Sequence, residues 1–237
     1  MKKVIFILVI ATQIIFSSCT KNCIYGDGDV VTQSIELSDF TGVLIESSIN
    51  VNIAYGESQS VFITGYENLL EHVDLSVNNN ILKVDMKNGS YSNLNIELDL
   101  EIPSISKLII DGSGDINIDE FTIPDLDILI DGSGDINATR NFTISNKLDC
   151  VIDGSGDVSL VGSVPEQAIT VKGAGHFYGF DLQSEICNVL IDGSGDVEIL
   201  VSDALSVDIQ GSADTYYRGN PNLTIENDGS GEVINAN

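Results

Sequence analysis

The chain has 237 residues, 43% of them hydrophobic, which suffices for one large domain or two modest ones around a packed core. Its 36 acidic residues against 10 basic ones give a net charge of −26. Such a surface repels nucleic acid and anionic lipid, whose binding needs clustered Lys and Arg, and favours cations, basic partners or plain solvation.

The first element is a targeting signal. Lys2 and Lys3 form a positive n-region, and Val4 to Ile10 with Ile14 to Phe16 form the apolar stretch that follows. Ser17 and Ser18 then run directly into Cys19. Small residues ahead of a cysteine resemble a bacterial lipoprotein cleavage box, which makes residues 1–18 a signal peptide and Cys19 the lipidated first residue. An ordinary signal peptide with an incidental cysteine is the alternative. Residues 19–29 read as a tether, and no later segment holds the eighteen uninterrupted apolar residues of a membrane span. The expectation is a partner membrane reached through a lipid anchor.

Residues 30–103 carry β patterns at Val51 to Ala54, Val61 to Thr64, Ile81 to Met86 and Leu94 to Ile102, with a short helical turn within Tyr66 to His72. From residue 104 to the end the chain repeats. Ile-Asp-Gly-Ser-Gly-Asp occurs with Asp111, Asp131, Asp153 and Asp192 as its first acid. Worn copies follow the same frame at Val171 to His176, Ile209 to Asp214 and Asn227 to Glu232, and an early one at Ile45 to Asn50. Steps between the first acidic positions from Asp111 onward are 20, 22, 19, 20, 18 and 18 residues. A fixed period of this length marks a solenoid.

Around each copy the apolar period is two. Leu108, Ile110, Gly112, Gly114, Ile116 and Ile118 share one parity; Asp111, Ser113, Asp115 and Asn117 share the other. The glycines therefore face inward and the Asp-Ser-Asp triplet outward. Inward glycines let the strand bend sharply or let an opposite wall approach without a Cβ in the way. About twenty residues are too few for a βαβ unit, so each repeat forms one coil stacked on its neighbours. Phe121/Ile123, Phe142/Ile144 and Phe180/Leu182 fall between motifs and supply the other wall. The predicted fold is all-β, a right-handed parallel β-solenoid (β-helix) of about seven to eight coils, its hand taken from the crossover rule. Residues 30–103 form an N-terminal β-rich capping region within a single domain, 30–237. Asn227, in place of the inward Ile, suits a terminal cap. Cys150 and Cys187 face inward with a whole coil between them, roughly 10 Å apart. That exceeds the reach of a disulfide, so both read as buried thiols.

Several segments together resemble a known family, described as "putative auto-transporter adhesin, head GIN domain". They are Gly28-Asp29-Val30-Val31-Thr32, Leu37-Ser38-Asp39-Phe40-Thr41-Gly42-Val43, Asn68-Leu69-Leu70-Glu71-His72-Val73, Ile81-Leu82-Lys83-Val84 and the Gly-Ser-Gly-Asp copies. The resemblance runs from about Asp29 to the last repeats. It implies a solenoid-like envelope domain often carried by lipoproteins, with an adhesin label and no catalytic motif to transfer. Ser47 and Ile49 depart from the pattern by replacing the glycines of the first copy.

Stacking turns the outward triplets into two acidic columns. One holds Asp111, Asp131, Asp153, Lys172, Asp192, Gln210 and Asp228; the other holds Asp115, Asp135, Asp157, His176, Asp196, Asp214 and Glu232. Carboxylates about 5 Å apart repel by roughly 0.8 kcal/mol in water's dielectric, so the columns need relief from water, raised pKa values, serine hydroxyls or a bound cation. Lys172, between Asp153 and Asp192, offers built-in relief. Asp111, Asp115, Asp131, Asp135, Asp153, Asp157, Asp192 and Asp196 form a candidate cation-binding ladder with weak calcium as its ion, although the spacing matches neither a calcium β-roll nor an EF-hand. Paired carboxylates at this separation also suit a retaining glycosidase, but here the pairs repeat along the whole stack, whereas a catalytic site is unique. His176 reads as a ladder substitute rather than a general base, and the absence of Trp leaves Tyr178, Tyr216 and Tyr217 as the aromatic candidates. No catalytic residue is assigned. The favoured function is a cell-envelope, outer-membrane lipoprotein, periplasmic or surface-facing, acting as an adhesin-like binding module for a protein or polysaccharide. A structural spacer without ligand is the alternative, and a polysaccharide-active β-helix enzyme ranks below both.

Overall fold

The computed structural model describes residues 23–138 and 140–237; the expected signal peptide and Cys19 lie outside the described residues. Parallel strands stack coil on coil, with inward Ile and Val forming continuous columns. Along one wall the register runs Ile45, Ile110, Ile130, Ile152, Val171, Ile191, Ile209, Asn227. Along the next it runs Val51, Ile116, Ile136, Val158, Phe177, Val197, Thr215, Val233. From Ile45 to Ile209 the first column is 0% exposed. Each such side chain contributes about 1.5–3 kcal/mol through burial.

The stack is a β-solenoid of about six turns, fewer than the seven to eight coils predicted. The motif copies outnumber the turns for a reason visible at each end. The first copy's coil, Gly42–Ile45 with Asn50–Tyr55, is interrupted by the excursion through residues 56–106 before the chain returns to stack on it. After the last copy, Val233–Asn235 pairs in parallel with Thr215–Tyr217 as a partial coil.

That excursion makes the expected cap. Ser60–Tyr66 runs antiparallel to both Glu97–Ile102 and Val30–Ser34. Val73–Asn78 and Ile81–Met86 form a hairpin, turned at Asn79 and Asn80 with φ of 51° and 61°. Positive φ at both central residues suits the strand twist, and Asn tolerates it. Ile81–Met86 then pairs in parallel with Gly42–Ile45. The helical turn Glu67–Leu70 buries Leu69 against this end. The far end is less covered: Asn227 braces its own bend, accepting from the Gly229 N–H and donating to the Gly231 carbonyl, while Leu223 and Ile225 are 40% and 46% exposed.

The close approach that the motif glycines permit is axial rather than across the core. A Cβ on Gly132 would stand 2.0 Å from the carbonyl oxygen of Gly112, and one on Gly154 would stand 2.0 Å from that of Gly132. The obstacle lies along the solenoid axis in the preceding coil's backbone, not in the opposite wall. This also explains the first copy. No earlier motif bend lies above Ser47 and Ile49, so their side chains have room, and the Ser47 hydroxyl donates to the Val84 carbonyl at 3.3 Å.

One predicted equivalence shifts. Gly162 pairs with both Phe142 and Leu182, so Leu182 rather than Phe180 occupies the Phe142 column. Phe180 is half-buried beneath Arg218, whose guanidinium carbon lies 3.9 Å from the ring centroid.

Candidate functional site

The two acidic columns have separate fates. From Asp115 to Asp214 the side chains of the second are half-buried beside the bend, and each turns toward the next coil's backbone. The N–H of Asp135 donates to Asp115 Oδ1 at 2.9 Å, that of Asp157 to Asp135 Oδ1 at 2.8 Å, and that of His176 to Asp157 Oδ1 at 2.7 Å. The Asp196 N–H then donates to His176 Nδ1 at 2.9 Å, the Asp214 N–H to Asp196 Oδ1 at 2.8 Å, and the Glu232 N–H to Asp214 Oδ1 at 2.7 Å. Asn50 Oδ1 starts the series by accepting from the Asp115 N–H at 3.0 Å. The glycine bend breaks the regular strand ladder and frees one N–H per coil; the side chain one coil back satisfies it. Relief for these carboxylates therefore comes in part from backbone N–H donors, a source not among those expected.

The first column faces solvent. Asp111, Asp131, Asp153 and Asp192 are exposed, and among the described residues their side chains form no hydrogen bond or ion pair. Lys172 stands in the column between Asp153 and Asp192, yet it forms no salt bridge with either. Around it the glycine bends leave a shallow trough of about 540 Å³ lined by Asp153, Lys172, Asp192 and the glycines between. Stacking supplies this column with at most one carboxylate per coil, and among the described residues no three His, Cys, Asp or Glu side chains converge as metal ligands.

The remaining candidates are placed as follows. His176 is a member of the ladder, stacked on Tyr178 with ring centroids 5.9 Å apart. The Tyr216 hydroxyl donates to Asp214 Oδ2 at 3.3 Å, and Tyr217 packs on the core. Cys150 and Cys187 are buried and unbridged, with the Gln167 and Ile169 rung between them. Desolvation pushes both thiols well above the usual range. Sequence reasoning passed over a cleft of about 610 Å³ lined by Tyr55, Phe121 and polar neighbours, with none of the column residues in its wall. Its aromatic signal was hidden because Tyr55 lies 66 residues before Phe121 in the chain and reaches it only through stacking.

Residues 39–221 match the family model described as "Putative auto-transporter adhesin, head GIN domain". Among solved structures, a putative adhesin from Bacteroides fragilis NCTC 9343 is similar at 22% identity and a TM-score of 0.85, over 90% of this chain and 99% of that one. A putative lipid binding protein from Parabacteroides distasonis ATCC 8503 matches at 23% identity and a TM-score of 0.74, over 90% and 100%. A putative adhesin from Parabacteroides merdae ATCC 43184 matches at 21% identity and a TM-score of 0.66, over 91% and 100%. No protein of curated function matches the sequence. At these identities the structures share the fold, and the family model covers most of the chain. The chain belongs to the head GIN domain family.

Proposed function

We propose that this head GIN domain protein is a non-enzymatic, adhesin-like binding module of the cell envelope. A lipid on Cys19 holds it at the outer membrane, and the first acidic column meets the partner. The observation that carries the reading is the division of labour between the columns. The second is used up in holding coil to coil, whereas Asp111, Asp131, Asp153 and Asp192 make no contact that the fold requires. Asp111, Asp131 and Asp153 follow one another at about 4.8 Å per coil, with Asp192 beyond Lys172, and this mainly acidic row favours a basic protein surface and disfavours polyanions. The family description and the adhesin names of similar structures support the same class. The same side-chain pair recurs in coil after coil, which argues against a single catalytic centre.

The test is adhesion. Cells displaying the full chain are compared with cells displaying the variant in which Asp111, Asp131, Asp153 and Asp192 are all Asn, on surfaces coated with a basic extracellular-matrix protein. Display should raise attachment, and the fourfold variant should abolish the gain while melting at or above the parent temperature. Equal attachment by parent and variant would leave the solenoid as a spacer. A Cys19→Ser variant recovered in the soluble fraction would support the lipid anchor; retention in the membrane fraction would refute it.

A further inference from the structure

We propose that the cleft between Tyr55, Phe121 and Asn141 is a binding site for a neutral saccharide, separate from the acidic face. Tyr55 ends the strand Asn50–Tyr55 of the interrupted first coil, and Phe121 and Phe142 stand at the corresponding edge of the next two coils. The Tyr55 and Phe121 rings meet nearly at right angles, 85°, with centroids 6.0 Å apart, and Phe121 in turn lies 5.7 Å from Phe142. Phe121 and Phe142 are 3% and 1% exposed, so the base of this aromatic row is fixed in the core. Tyr55, at its open end, is 57% exposed. An exposed ring held upright at the mouth of a concavity is an apolar wall facing water.

The rest of the lining is polar. Glu120, Thr122, Asn141 and Thr143 are all exposed at the cleft, and Pro103 completes it. A carboxylate, a carboxamide and two hydroxyls beside an aromatic ring match a pyranose, which offers an apolar C–H face and a rim of hydroxyls that both donate and accept. The volume of about 610 Å³ suits a mono- or disaccharide, within the usual span of roughly 300–1,000 Å³ for ligand pockets.

The backbone segments that carry the polar groups are also held in place. Asp119 Oδ1 lies 3.2 Å from Arg140 Nε, tying together the two segments that carry Glu120 and Asn141. The Thr143 N–H donates to the Phe121 carbonyl at 2.8 Å, and the Asp119 N–H to the Ile53 carbonyl at 2.8 Å, fixing both segments to the solenoid. Such preorganisation reduces the ordering cost of binding. Glu120 is the lining's carboxylate, and the chain's charge of −26 opposes uronates and sulfated sugars, which leaves neutral sugars as the class.

The experiment titrates the full-length protein with maltotriose, cellotriose, mannotriose and tri-N-acetylchitotriose, read by saturation-transfer difference NMR and by tyrosine fluorescence. At least one should bind saturably. Tyr55→Ala should weaken it by about tenfold or more, and Glu120→Gln by several-fold, while Tyr55→Phe stays within about threefold of the parent. Far-UV circular dichroism establishes that Tyr55→Ala is folded; if it is not, Glu120→Gln and Asn141→Ala decide. The fourfold Asp→Asn column variant should bind the sugar as the parent does, which separates this site from the acidic face. The proposal is overturned if none of the four sugars binds saturably, or if binding survives these substitutions. It is equally overturned if phosphatidylcholine vesicles, rather than a sugar, show Tyr55-dependent binding.

Discussion

His176 Nδ1 accepts the backbone N–H of Asp196 at 2.9 Å, in a rung position where the neighbouring coils use an aspartate oxygen. An accepting Nδ1 fixes the tautomer, with the ring proton on Nε2. His176→Ala leaves the Asp196 N–H without its partner and should cost about 1–2 kcal/mol. His176→Asn keeps an acceptor oxygen and should fall within about 0.5 kcal/mol of the parent. Urea unfolding of the two variants distinguishes an acceptor role from simple packing against Tyr178, which both would lose.

The same bond gives the two acidic columns opposite sensitivities. Asp135 Oδ1 holds the Asp157 N–H, so Asp135→Ala should destabilise by about 1.5–3 kcal/mol. Asp135→Asn should recover most of that, as Asn50 already does the same work with an amide. Asp131→Ala, on the exposed column, should change stability by no more than about 0.5 kcal/mol in either direction. Equal losses at positions 131 and 135 would mean that the columns are not divided as described.

The first motif glycine is required where a coil lies on an earlier motif bend, whereas the second position accepts Ala213 in the coil that follows Gly195. Gly154→Ala drives a Cβ onto the Gly132 carbonyl oxygen at 2.0 Å, a backbone atom with no rotamer of its own to yield. The expected cost is about 3 kcal/mol or more, or failure to fold. The exposed Ser155→Ala beside it should be near neutral. Thermal melting of this pair measures the axial contact directly.

How much of this was legible in the sequence follows from what a linear pattern encodes. Period two and a fixed repeat give the parity of Ile110 and Asp111 and the stacking of like on like, because both depend only on spacing. The partner of each group is a different matter. That Gly132 meets Gly112, or that Asp115 holds the Asp135 N–H, depends on how adjacent backbones offset along the axis, which no residue type announces. Unequal coil lengths set Leu182 rather than Phe180 beside Gly162, and spacing from the motif could not detect it. Tyr55 was missed because it belongs to the coil whose motif is worn and whose circuit is interrupted.

Cys150 and Cys187 should be inert in the folded protein. Burial raises both thiols, leaving little thiolate, and solvent does not reach them. Iodoacetamide should modify exposed Cys23 within minutes and the other two only on unfolding, as read by mass spectrometry of peptides. A Cys150–Cys187 disulfide in the native protein would contradict the intervening rung of Gln167 and Ile169.

Calcium should act on this protein as salt does. One oxygen of each second-column aspartate already accepts a backbone N–H, and the first column supplies at most one outward carboxylate per coil, whereas calcium takes six to eight oxygens. Neighbouring carboxylates about 4.8 Å apart repel by roughly 0.9 kcal/mol in water, and ionic screening reduces that term. Raising sodium chloride should therefore raise the melting temperature smoothly, and calcium should follow the same curve at matched ionic strength without a saturable heat of binding. Saturable calcium binding lost in Asp131→Asn with Asp153→Asn would instead make the exposed column a metal site, because replacing two surface carboxylates cannot remove a purely ionic-strength effect carried by the whole chain.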